Sequence, residues 1–211
     1  MQLGHATGLY CSHTAHPSLL KCPNILLHSD PQMTDETDVQ IGDSPIIAMQ
    51  SVSKFYASFQ ALNNVSIEVG LGERVVVCGP SGSGKSTLIR CINQLEKHDA
   101  GTITIAGHNL GRGKSSLQVI HDNVGMVFQQ FNLFPHLSVL DNLTLGPVRS
   151  RGLTKQQATD LAMQYLERVR IPEQAEKFPA QLSGGQQQRV AIARSLCMEP
   201  KIMLFLSLIH I

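Results

Sequence analysis

Apolar residues recur at helical spacing along one stretch of the chain. Ala158, Leu161, Ala162, Tyr165, Leu166 and Val169 fall at i, i+3, i+4, i+7, i+8 and i+11. That stripe predicts an amphipathic helix with one face against a core. Thr154 followed by Gln157 predicts its capped start, and Pro172 its end. The segment after Pro135 reads helical throughout. Elsewhere the period shortens to two: residues 46–52, 65–69 and 102–105 alternate like strands with one buried face. Short apolar runs at 74–78, 124–128 and 201–205 predict buried strands, the second ending in the polar Gln129. Residues 87–95 predict a helix with Leu88, Cys91, Ile92 and Leu95 on one face.

Between the strand at 74–78 and that helix lies Gly79-Pro80-Ser81-Gly82-Ser83-Gly84-Lys85-Ser86-Thr87, which fits the P-loop pattern G-x-x-x-x-G-K-[ST]. Strand, glycine loop and helix are the context this motif requires. Glycines let the backbone adopt conformations barred to residues with a Cβ and approach phosphate closely. Successive N–H groups then form an anion nest at a helix N-terminus, where the dipole favours negative charge. Lys85 would reach the β- and γ-phosphates, and the Ser86 hydroxyl would ligate Mg²⁺.

A second motif narrows the class. Leu182-Ser183-Gly184-Gly185-Gln186 contains a capping box, Ser183 with Gln186, so part of its meaning is a well-made helix start. Capping does not require two glycines between those residues. With the P-loop, this LSGGQ sequence resembles the nucleotide-binding domain of ATP-binding cassette (ABC) transporters. The resemblance implies that Ser183, Gly184, Gly185 and Gln186 bind the γ-phosphate of ATP held by the opposite subunit of a dimer. It likens Gln129 to the family's Q-loop glutamine, reaching Mg²⁺ and the attacking water. Lys85 and Gln129 are thus the catalytic candidates, and Ser86 and Gln129 the metal candidates. The ATP contacts are the residues 79–87, the four signature residues, and Tyr56 as the aromatic platform for adenine, with Phe55 as its alternative. The fold implied is α/β: a P-loop core, an antiparallel β-layer and an inserted helical subdomain at about 137–198, within a domain spanning 46–205.

Residues 79–95, the Gln129-Gln130 pair and Phe131-Asn132-Leu133-Phe134-Pro135-His136 resemble, more narrowly, ATPase subunits of bacterial polar amino-acid importers. Partners then implied are a second ATPase subunit, transmembrane permease subunits met by the 130–137 surface, and a periplasmic or extracellular substrate-binding protein. The location implied is the cytoplasmic face of the plasma membrane, through the permease. Two other readings stay open: a soluble ABC-type ATPase outside transport, and a non-catalytic nucleotide-binding fragment.

The chain departs from the family pattern after the strand at 201–205. Leu206 and Ser207 stand where the family carries the aspartate that orders Mg²⁺ and the glutamate that acts as general base. Residues 206–211 resemble a translated transposon-end adapter, so the sequence reading expects a record truncated before those carboxylates. It also expects weak hydrolysis and a parallel sheet left bare along one side. At the other end, residues 1–45 hold four of the nine histidines, two of the five cysteines and one basic residue, Lys21. They show no periodic pattern and read as disordered or as translated upstream sequence, with Met33 or Met49 as the start. Cys11, His13, His16 and Cys22 match no common zinc spacing.

Bulk composition changes this picture little. A chain of 211 residues at 42% hydrophobic can bury one sizeable core. A net charge of +1 gives no argument for nucleic acid. Scattered cysteines fit a reducing compartment, and no apolar run is long enough to span a bilayer.

Overall fold

The computed structural model describes residues 7–10, 26–28, 44–111 and 114–206. Cys11, His13, His16, Cys22, the alternative start Met33, and Ser207 with the tail to Ile211 lie outside the described residues. In chain order the elements are β1 Thr7–Tyr10, β2 Leu26–His28, β3 Ile47–Tyr56, β4 Phe59–Val69, β5 Arg74–Cys78 and α1 Lys85–Ile92. There follow β6 Ala100–Ile105, β7 His108–Asn109, α2 Lys114–Asn123, β8 Val124–Val127, α3 Val139–Ser150, α4 Lys155–Arg168, α5 Gly184–Leu196 and β9 Ile202–Phe205. They form two compact units, one from residues up to Val124 together with β9, the other from Gly125 to Pro200.

In the first unit an antiparallel sheet runs β4-β3-β6-β7. Its register sets Ile47 opposite Val69 and Ile105, and Met49 opposite Ile67 and Ile103. All six side chains are buried, so the period-two pattern of the sequence is the pattern of a one-faced sheet. The hairpin of β3 and β4 is longer than that alternation predicts. It continues to Tyr56 and Phe59 past three register shifts, which break the period-two alternation, and the aromatic residues at its end are exposed. Where β6 enters, Gly101 has φ +88 and a Cβ there would lie 2.5 Å from the carbonyl oxygens of Gln50 and Ser51. Glycine is therefore the only residue that lets the two strands approach at the bulge.

The second sheet of this unit carries the P-loop strand. β5 pairs antiparallel with β1 on one edge and with β2 on the other, and β1 pairs antiparallel with β9. Both edges of β5 thus have backbone partners, from segments that no periodicity marked. Helix α1 packs Leu88, Ile89, Cys91 and Ile92 inward. Leu95 departs from the expected face and is 54% exposed, because the helix stops at Ile92 and Gln94 turns the chain with φ +54. Burial pushes the Cys91 thiol up to about 11, which leaves it a protonated, inert core group.

The second unit is the helical block. Its core joins Val139, Leu143, Ala162, Leu166, Val190 and Ala193. The predicted α4 stripe is present, with Ala158, Ala162 and Leu166 buried and Thr154 and Gln157 closing a reciprocal capping box. α3 has its first N–H groups fully engaged. Val139 and Leu140 donate to the carbonyls of Lys177 and Ala175, and Asp141 donates to the Ser138 hydroxyl. Cys197 closes this core, its thiol pushed up to about 12 by burial. Among the described residues no helix is long and apolar enough to cross a membrane.

Candidate functional site: a phosphate cradle and a free helix start

The P-loop folds around its lysine. Lys85 is 6% exposed, and its ammonium donates to the carbonyls of Gly79 at 2.8 Å and Pro80 at 2.7 Å and to the Ser83 hydroxyl at 3.3 Å. Three donors meet three acceptors, and the cation sits at the centre of the loop. Helix α1 begins directly after Gly84. No side chain caps it, and no acidic residue lies in its first turn. Among the described residues, no carbonyl outside the helix takes the N–H groups of Lys85, Ser86 and Thr87. These groups, with the aligned dipole behind them, form a positive concavity suited to phosphate.

Gly84 fixes where that cradle sits. Its φ is +90, and a Cβ on it would lie 2.5 Å from the carbonyl oxygen of Ala61. The loop is therefore pressed against β4 of the hairpin that carries Tyr56. Gly82 has φ +79 with open space around it, so its requirement is conformational alone.

Tyr56 ends β3 and is 39% exposed, next to Phe55 at 43%. A feature absent from the sequence reading holds this corner in place. Asp99, distant in sequence, accepts the N–H of Phe55 at 2.6 Å and pairs with Lys54 at 3.5 Å. The Lys54 ammonium in turn lies 5.3 Å from the centre of the Tyr56 ring, within cation–π range. The hydrogen bond from Phe55, then the charge of Lys54, hold the Asp99 carboxyl below its ordinary 3.8. The lock is complete above that ordinary value and is lost only as pH falls through the lower folded value. It is therefore intact at neutrality. On the expectation that Tyr56 stacks on adenine, Asp99→Ala frees that corner and weakens ATP binding about threefold, with triphosphate affinity unchanged. Calorimetric titration with ATP and with inorganic triphosphate separates the two.

The signature residues come together at the start of α5. Ser183 accepts the N–H of Gln186 at 3.3 Å, and the Gln186 side chain accepts the N–H of Ser183 at 2.9 Å. Ser183, Gly184 and Gly185 are exposed, over a buried Leu182. A Cβ at Gly184 or Gly185 would meet nothing within 4 Å, so neither glycine is needed by this fold. Among the described residues their N–H groups have no partner, in contrast to the engaged start of α3. Here the helix leaves two donors and an open surface facing outward.

Gln129 stands in the second unit, exposed on the turn after β8. Ser86 is exposed on the first turn of α1 and offers one hydroxyl oxygen. Leu206, at the position of the family's first carboxylate, is 7% exposed and continues the buried strand β9. Among the described residues no three His, Cys, Asp or Glu side chains cluster to hold a metal.

Comparison with known proteins agrees with these two motifs. The sequence profile of the ABC transporter family matches residues 62–205. BztD of Rhodobacter capsulatus, named as a glutamate/glutamine/aspartate/asparagine transport ATP-binding protein, is 54% identical over 171 residues, 81% of this chain and 65% of its own. GltL of Escherichia coli, a glutamate/aspartate import ATP-binding protein, is 55% identical over 160 residues, 76% of this chain and 66% of its own. The chain spans about 65% of the length of the first of these relatives. Among solved structures, the cassette MJ0796, a dimer bound to ADP and Pi, superposes with a TM-score of 0.63 at 34% identity, over 73% of this chain and 70% of its own.

Proposed function

The chain belongs to the ABC transporter family, and from that premise we propose that it is the ATP-binding subunit of a polar amino-acid importer. The observation that carries this reading is the pairing of a lysine-centred cradle at α1 with unpartnered N–H groups at the start of α5. Each supplies a positive, preorganised end for phosphate, and one chain holds both. The substrate class rests on relatives above half identity whose names specify glutamate, glutamine, aspartate and asparagine.

In this mechanism Lys85 exchanges its bonds to the Gly79 and Pro80 carbonyls for bonds to the β- and γ-phosphates of ATP. The N–H groups of Lys85, Ser86 and Thr87 bind the same phosphates, and Tyr56 stacks on adenine. The exposed Ser86 hydroxyl fits one position around a hard cation, whose other ligands would include phosphate and water. When bound, Mg²⁺ neutralises charge on the β- and γ-phosphates. Ser183, Gly184, Gly185 and Gln186 meet the γ-phosphate held by a second copy, so ATP closes the dimer. That closure moves the permease subunits, and a substrate-binding protein delivers the amino acid. The subunit sits at the cytoplasmic face of the membrane through the permease. A buried Leu206 offers no carboxylate to order Mg²⁺ where the family carries its aspartate, so hydrolysis by this chain is slower than that of a cassette that has one.

The test is ATP-driven uptake in proteoliposomes containing the full-length subunit and its permease. Accumulation of radiolabelled glutamate, glutamine, aspartate or asparagine is expected, with none for a neutral apolar amino acid. ATP hydrolysis without uptake of any of them would move the assignment to a soluble ABC-type ATPase.

A further inference from the structure

The loop that follows β8 is held from both ends by side chains of the helices. Its backbone turns sharply, with Phe131 at φ +58 and Asn132 at φ +48, two consecutive left-handed residues that are not glycine. Such a pair persists only where the surroundings hold it. The loop's own hydrogen bonds are short-range, Phe131 to Phe128 and Asn132 to Gln130, and they do not determine its direction. Direction comes from Arg194 of α5. One guanidinium nitrogen donates to the Asn132 carbonyl at 2.7 Å and the other to the Phe131 carbonyl at 3.1 Å. The same group lies 5.7 Å from the centre of the Phe134 ring. Downstream, buried Asn142 of α3 accepts the Phe134 N–H at 2.8 Å and donates to the Phe134 carbonyl at 3.1 Å.

Arg194 lies on the helix that Ser183, Gly184 and Gly185 begin. We infer that Arg194 is a positioning residue that ties the 128–136 loop to α5, so that the signature end of the helix and the exposed Phe134 move as one body. The geometry suits arginine alone. A planar fork reaches two adjacent carbonyls at once and also faces an aromatic ring, whereas a lysine ammonium is a single point charge. Burial lowers the pKa of the guanidinium, but an arginine remains charged and so keeps both bonds across the physiological range. A purely structural arginine could be satisfied anywhere on α5. This one is spent on the two strained residues between Gln129 and Phe134.

The consequence for transport rests on the importer reading; the tie itself does not. Two measurements on Arg194→Met and Arg194→Lys separate them. In hydrogen exchange on the chain itself, the loop amides of Arg194→Met are expected to exchange at least about tenfold faster while those of α5 stay unchanged. Arg194→Lys, keeping one bond, falls between. In proteoliposomes of the full-length subunit with its permease, Arg194→Met is expected to retain ATP affinity while uptake per ATP hydrolysed falls about tenfold, with partial recovery in Arg194→Lys. Unchanged loop exchange in Arg194→Met overturns the tie, and an unchanged uptake per ATP hydrolysed overturns its consequence for transport. If Arg194→Met does not fold, Arg194→Lys alone decides, since it keeps the charge and loses the second donor. Absence of uptake in the unsubstituted complex counts against the importer reading, and the exchange result still judges the tie.

Discussion

Replacing Lys85 with alanine is expected to abolish ATP-dependent uptake and to weaken ATP binding by two orders of magnitude or more. The magnitude follows from the bonds involved. A charge-assisted hydrogen bond to phosphate contributes about 1.5–3 kcal/mol, and Lys85 has donors for more than one phosphate oxygen. The loop itself also depends on this side chain. Its ammonium holds the carbonyls of Gly79 and Pro80 and the Ser83 hydroxyl, so its removal leaves two carbonyls of a tight loop without their donor. A fall in thermal stability of about 1–3 kcal/mol should therefore accompany the loss of binding. Lys85→Arg distinguishes the two roles: it keeps the charge, but its fork is too bulky for a site that is 6% exposed. Titration calorimetry with ATP and a thermal melt of each variant report both effects. Retention of ATP affinity within a few-fold in Lys85→Ala would remove the P-loop from the mechanism.

The sequence made part of this site legible and hid the rest, for a physical reason. Residues 79–87 and 183–186 are readable because their function is made locally. Each motif satisfies its hydrogen bonds within a few residues and projects N–H groups along one helix axis, so a short string of letters contains the geometry. The capping box at Ser183 and Gln186 was legible for the same reason and is present. Asp99 was not: its carboxylate reaches the N–H of Phe55 across a bulged sheet, and nothing near Asp99 in the chain signals that contact. Arg194 was likewise silent, since its partners Phe131 and Asn132 lie some 62 residues earlier. Leu95 was misplaced because a perfect helical spacing continued past a turn that Gln94 makes with a left-handed backbone. Strands β1 and β2 had no signal at all. They are four and three residues long and are defined by pairing with β5, which periodicity cannot anticipate.

The double variant Gly184→Ala, Gly185→Ala is expected to move stability and function in opposite directions. Both glycines are helical, both are exposed, and a Cβ at either meets nothing within 4 Å. Alanine should therefore stabilise α5 by a few tenths of a kcal/mol per position, less than the ~1 kcal/mol of mid-helix sites because these lie in the first turn. Nothing inside the chain opposes the change, and the melting temperature should rise by a few degrees. If the open surface at the start of α5 exists to receive a phosphate held by a second copy, two methyl groups would occupy the space it needs. ATP-dependent dimerisation and hydrolysis in the full-length protein should then fall by about 10²–10³-fold, the scale seen when preorganised N–H donors to developing charge are lost. The contrast with Gly84 sharpens the test. A Cβ there strikes the Ala61 carbonyl at 2.5 Å with φ at +90, so Gly84→Ala should lose stability as well as activity. Light scattering with ATP, steady-state hydrolysis and a thermal melt on the three proteins give the answer together. A stabilised signature variant that still dimerises and turns over normally would mean that the glycines serve no partner, and that the motif is only a helix cap.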